Sequence, residues 1–169
     1  MVSASVLLTI ALSALASAAP LVPRVNCVSG LYIIVGRGSN EAAGEGKPGQ
    51  VATLIKSRVP NSVSVAVNYP ATLSNYPDSV TAGIKDTISK IQTYVDTCGS
   101  SSKIVLLGYS QGGNVMTDVL AGGVDKPAPL ADKYRQNSKF LVFDPQQAAS
   151  RKGMIKTDTC CSPRCCRLR

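Results

Sequence analysis

"KIVLLGYSQGGNVM", residues 103–116, decides how this chain is read. The apolar run Ile104–Leu107 has the length and composition of a buried parallel strand. It leads into Gly108-Tyr109-Ser110-Gln111-Gly112 and then into a helical period. This is G-x-S-x-G in a strand–turn–helix setting, the pattern that holds a nucleophilic serine on a sharp turn at the carboxyl edge of a sheet. Gly108 and Gly112 have a steric task there, because strand and helix pass too close for Cβ atoms. The helix N-terminus contributes partial positive charge, and the Gln111 N–H is placed to face a developing oxyanion. Ser110 is therefore the candidate nucleophile. Such a serine needs a base, usually histidine, and the 169 residues contain none.

Three further apolar runs share the character of the first: "LYIIVG" (31–36), "SVSVAV" (62–67) and "KFLVFD" (139–144). Between the second and the "KIVLLG" strand, Val80, Ile84, Ile88, Ile91 and Val95 recur at steps of three and four, which predicts a long amphipathic helix. Pro77 suits its first turn, and Cys98-Gly99 its end. A shorter helix fits around 47–58, and another follows Ser110 to about Leu120, where Gly122-Gly123 stops it. Strands alternating with helices at this spacing predict an α/β fold, a three-layer sandwich with a parallel sheet. No repeat, linker or second domain interrupts it.

The net charge of +8 is unevenly spread. Residues 151–169 hold six basic residues against Asp158 alone and so carry +5 of it. A short basic tail without aromatic residues is not a nucleic-acid-binding face. At the other end, "MVSASVLLTIALSALASAAPLVPR" has an apolar stretch from Val6 to Leu15 that closes in Ala16-Ser17-Ala18. This reads as a signal peptide over residues 1–18, followed by a short pro-segment over 19–26. The run is too short to span a membrane. The expected location is thus extracellular, where disulfides are the default state of cysteine. Cys160, Cys161, Cys165 and Cys166 crowd into "CCSPRCC", for which three pairings are open. A metal site there lacks any supporting histidine, so we expect none.

The segment after the first strand, "VGRGSNEAAGEGKPG" (35–49), is glycine-rich. A nucleotide loop is the competing reading. However, Gly36-x-Gly38 is only part of a dinucleotide fingerprint, and no acidic residue ends the second strand. In a P-loop comparison, Glu41 takes the place of the first glycine and Pro48 that of the Ser/Thr. An esterase of this fold needs a second oxyanion donor from a loop after an early strand, and Gly38-Ser39 occupies that place. Glu41 and Glu45 read as solvated loop charges, and Asp118 and Asp125 as surface charges.

"GRGSNE", "VNYPA" and "KIVLLGYSQGG", together with the spacing of Cys27 and Cys98 around them, resemble the fungal cutinase and acetylxylan esterase family of small secreted serine esterases. The resemblance covers residues 27–145 and implies a compact α/β-hydrolase that needs no cofactor. Carried onto this sequence, it implies Ser110 as nucleophile, Gln111 and Ser39 as the oxyanion hole, and a Cys27–Cys98 disulfide. "VNYPA" and "AGG" at 121–123 lean towards deacetylation of xylan, with aliphatic polyesters such as cutin as the alternative substrate and a monomer as the expected state.

The resemblance stops near Asp144-Pro145, before the acid and histidine that complete a triad in chain order Ser, Asp, His. Residues 146–169 form a divergent basic, Cys-rich tail, in which "TDTCC" makes Asp158 the one candidate acid. We expect the last elements of the fold to be missing and one face of the sheet to expose apolar surface. An inactive, esterase-like binding protein is the alternative function.

Overall fold

The computed structural model describes residues 25–136 and the short strand 142–143. Four parallel strands form one sheet in the order β2-β1-β3-β4, with β1 at Tyr32–Gly36, β2 at Val63–Ala66, β3 at Ile104–Gly108 and β4 at Val142–Phe143. Helix α1 (Gly49–Arg58) joins β1 to β2, α2 (Tyr76–Cys98) joins β2 to β3, and α3 (Gln111–Ala121) follows β3. All three helices and all four strands lie where the apolar periods predict them. A further short helix, α4 (Asp132–Gln136), has too few residues to show a period in the sequence.

Side chains of a strand alternate between the faces of its sheet, and the two faces here bury different sets. Ile33, Val35, Val105 and Leu107 pack with Ala52 of α1. Tyr32, Ile34, Ile104 and Leu106 pack with Ile84 and Ile91 of α2 and Val115 and Met116 of α3. The result is the expected three layers. Every residue of β1 and β3 is buried, so these central strands do not expose the apolar face anticipated from the sequence. Leu54, Leu73 and Val124 are the large apolar side chains left exposed among the described residues.

Two features tie the start of the domain to the end of α2. Cys27 and Cys98 form a disulfide across 71 residues, a loop long enough to contribute about 4 kcal/mol if the constraint acts mainly on the unfolded chain. Beside it the rings of Tyr32 and Tyr94 stack with centroids 3.9 Å apart, and the Tyr94 hydroxyl accepts a hydrogen bond from the Val28 N–H.

Strand order then sets where a ligand can lie. From β1 the chain moves out to β2 and comes back past β1 to β3. Their carboxyl ends therefore flank the point where the winding reverses, the usual ligand crevice of an open α/β sheet. The Gly36–Gly108 pairing closes the β1–β3 ladder at that edge.

Candidate active site

Ser110 stands at the carboxyl end of β3 as the N-cap of α3, with φ 53° and ψ −116°. A non-glycine residue in this region costs of order 1–3 kcal/mol and persists only where its surroundings enforce it. Here the backbone enforces it. A Cβ on Gly108 would come within 2.6 Å of the Gly112 carbonyl carbon, and one on Gly112 would collide with the Gly36 carbonyl and lie 2.7 Å from the Arg37 oxygen. The start of α3 is thus pressed directly against the end of β1, and the Tyr109 N–H donates to Gly36 O at 3.1 Å. Ser110 is half-buried, and its hydroxyl makes no hydrogen bond among the described residues.

Gln111 has two separate roles. Its side chain is fully buried: Nε2 donates to Thr72 O at 3.0 Å and Oε1 accepts from Ser79 Oγ at 3.0 Å. These bonds pin the elbow to the 67–75 loop and to α2. Its backbone N–H, in the first turn of α3, has no intrahelical acceptor by position and lies at the positive end of the helix dipole.

The loop that carries Ser39 is built around two charged residues. Arg37 is only 5% exposed. Its guanidinium donates to Tyr69 O at 2.6 Å, Pro70 O at 3.3 Å and Val67 O at 3.4 Å, and its Nε to Glu41 O at 3.0 Å. The Tyr69 hydroxyl donates back to Arg37 O, and burial pushes that phenol up to about 12, with the Arg37 charge pulling the other way. Glu41 is not the simple solvated charge expected from the sequence. Its carboxylate accepts from the Gly38 N–H at 2.6 Å and the Lys47 N–H at 3.3 Å, folding the loop around itself. Asn40 N–H goes to Ala71 O at 2.7 Å. Between these two engaged amides, the N–H of half-buried Ser39 meets no protein acceptor among the described residues. Gly38 lies flat on Tyr109, where a Cβ would be 2.6 Å from the ring, so this loop and the elbow are in contact.

Ser110 and Gln111 at the start of α3 and Ser39 in the loop after β1 therefore belong to neighbouring segments at one edge of the sheet, which touch through Gly38 and Tyr109. Asp158, Asp144, the tail cysteines and the proposed leader lie outside the described residues. With no histidine in the sequence, no Ser–acid–His set assembles among the described residues. They contain no cluster of His, Cys, Asp or Glu suited to a metal ion. Arg37 and Glu41 were the residues that sequence reasoning missed. The available signal was an arginine placed directly behind a strand short enough to be wholly buried.

The parallel sheet and the strained serine between two steric glycines at a strand–helix turn are the architecture of the α/β-hydrolase fold. A cutinase family model matches residues 27–163, and the chain belongs to the cutinase family. It is 33% identical over 125 residues to Cutinase 11 of Verticillium dahliae, covering 70% of this chain and 42% of that protein. It is 34% identical over 102 residues to Acetylxylan esterase 2 of Talaromyces purpureogenus, covering 56% and 43%. The chain thus spans less than half the length of these curated relatives. A solved acetylxylan esterase superposes with a TM-score of 0.63 at 29% identity, over 71% of this chain and 65% of that one. A cutinase-like protein from Cryptococcus sp., at 22% identity and a TM-score of 0.56, shares the fold.

Proposed function

We propose that the chain is the nucleophile-bearing part of a secreted carboxylic-ester hydrolase that removes acetyl groups from xylan. Ser110 attacks the ester carbonyl, and the N–H groups of Gln111 and Ser39 hold the oxyanion. The observation that carries this reading is the strained backbone at Ser110, enforced by the close Gly108–Gly112–Gly36 approach, with a hydroxyl that makes no side-chain capping bond among the described residues. Likeness to two acetylxylan esterases supports xylan as substrate, while the comparable likeness to a cutinase keeps the acyl group at the level of small or aliphatic esters. Secretion after loss of residues 1–18 and action as a monomer belong to the same proposal. No described helix is long and apolar enough to cross a membrane.

The absence of histidine favours a second reading, a scaffold that binds such esters without turning them over. In serine hydrolases, loss of the base costs about 10⁶-fold in turnover and leaves roughly 10³–10⁴ over water. The 169-residue protein should therefore hydrolyse 4-nitrophenyl acetate only at this residual level. Added imidazole should raise the rate above that of imidazole alone with the ester, and Ser110→Ala should remove this protein-dependent increment while the residual from the oxyanion hole and binding remains. An imidazole-dependent rate no higher than that of imidazole alone, or one indifferent to Ser110→Ala, would leave the binding scaffold as the answer.

A further inference from the structure

A cavity of about 560 Å³ opens beside α3, outside the elbow and its facing loop. That volume is in the range of clefts that take small ligands. Its walls come from the first two turns of α2, one side of α3 and the turn at 124–126, and include Tyr76, Thr81, Asn114, Asp118, Val124 and Lys126. Asn114 and Asp118 follow Ser110 at intervals of four, so the three share one stripe of α3. Two helical turns, about 12 Å at the rise of an α-helix, lead from the serine into the cavity.

The chemistry of the walls restricts what fits. Lys126 donates to Pro77 O at 2.8 Å and Thr81 Oγ1 at 3.4 Å, and the Asn114 amide donates to the Tyr76 hydroxyl. The side chains are thus fixed across the gap between helices. The Asp118 carboxylate accepts no hydrogen bond among the described residues, and burial pushes it up from the ordinary range while Lys126 pulls it down. Three carboxylates, Asp78, Asp118 and Asp125, surround one ammonium, which disfavours an anionic ligand, and the described residues hold no cluster that would chelate a metal. Donors and acceptors line this cavity together with apolar carbon of the half-buried Tyr76 and of Val124, which is 89% exposed. That combination matches a neutral ring carrying adjacent hydroxyls: carboxylate and amide pair with the hydroxyls, and the ring's C–H face covers apolar carbon.

We propose that this cavity is a polysaccharide subsite, holding unmodified pyranose units of the backbone while the acylated unit lies at Ser110. The proposal rests on the deacetylase reading and adds to it how the main chain of the substrate is held. The distance along α3 is that of about a disaccharide, so the chain would cross from the crevice to the cavity without a break.

The test is a calorimetric titration of the full 169-residue protein with xylohexaose that carries no acetyl groups, so that neither ester chemistry nor a histidine is needed. Xylohexaose should bind the wild type and Ser110→Ala with equal affinity. Asp118→Ala and Asn114→Ala should each weaken it at least fivefold, with unchanged thermal transitions showing that both variants fold, and Asp118→Asn should recover part of the loss. Binding that these variants leave untouched, or no binding to the wild type, overturns the subsite. Cellohexaose bound as tightly as xylohexaose, with the same dependence on Asp118, would uphold the subsite while removing xylan from the functional reading. Loss of the Ser110-dependent hydrolysis described above, with xylohexaose binding intact, would instead remove the esterase reading alone.

Discussion

The two loops that flank the crevice are held by opposite means. At the elbow, backbone meets backbone: Gly108, Gly112 and Gly36 leave no space, and the strain at Ser110 is locked by sterics. In the loop after β1, charge does the holding, with a buried guanidinium spanning four carbonyls and a carboxylate gathering two amides. A steric lock tolerates no change but is indifferent to pH and salt. A polar clamp gives way in steps, and its hydrogen bonds answer to ionisation. The crevice therefore has a rigid wall and an adjustable one, and the amide of Ser39 sits on the adjustable side.

The largest expected effect tests the rigid wall. Gly112→Ala puts a Cβ into the Gly36 carbonyl and 2.7 Å from the Arg37 oxygen, with only backbone to yield. Separation of α3 from β1 should cost about 4 kcal/mol or more, the range in which single substitutions point to one gross steric or polar fault. Denaturant unfolding followed by far-UV circular dichroism measures it. A loss below about 1 kcal/mol would mean that the helix can slide away from the strand and that the lock is not steric.

Arg37→Met is the matching test of the other wall. It removes donors from the carbonyls of Tyr69, Pro70, Val67 and Glu41 while keeping the apolar stem. Leaving several buried acceptors unpaired should cost about 3 kcal/mol, by the same unfolding measurement. Arg37→Lys, which keeps the charge but not the planar fork, should recover less than half of that. Full recovery by lysine would show that charge alone, not the shape of the guanidinium, organises the loop.

This difference between the walls also explains what could be read in advance. A steric motif is local: G-x-S-x-G between a strand and a helix occupies five consecutive residues, and its chemistry is fixed by their sizes. The strands and the α2 helix were equally legible, because burial on both faces makes a strand a continuous apolar run and burial on one face gives a helix a period of 3.6. The polar clamp is not local. Arg37 finds three of its four acceptors 30–33 residues away, on a loop whose path depends on the β1–β2 register, so nothing beside it in sequence marks it as buried. Glu41 looked like a solvated charge because its partners are backbone amides, which every residue but proline carries. Asp118 looked like a surface charge for a related reason: the turn at 124–126 that half-buries it has no sequence period.

An alkaline shift probes the polar wall without mutation. The Tyr69 phenol ionises at about 12 in the folded protein and near 10 in an unfolded chain. Between those values the unfolded state has already given up its proton and the native state has not, so stability falls as pH rises. The stability is fully present below about pH 10, and about 2–3 kcal/mol of it is lost by about pH 12. Tyr69→Phe should flatten that part of the profile measured by urea midpoints. An unchanged slope in Tyr69→Phe would place the alkaline sensitivity elsewhere, with Tyr32, whose phenol burial also raises, as the next residue to replace.

The smallest effect bears most directly on the crevice. Glu41→Gln keeps an acceptor for the Gly38 N–H but gives up the charge that strengthens the bond; it should cost about 1 kcal/mol of stability, the difference between a charge-assisted and a neutral hydrogen bond. The side chain is half-buried and the loop remains anchored by Arg37, so the fold should survive. What should change is the order of the amides at Gly38 and Asn40, and with them the presentation of Ser39. Hydrogen exchange separates the two possibilities. If the carboxylate organises the loop, protection at Gly38 and Lys47 should fall in Glu41→Gln while protection in β1 and β3 is retained. If protection falls evenly across the sheet, Glu41 acts on global stability and the adjustable wall is adjusted by Arg37 alone.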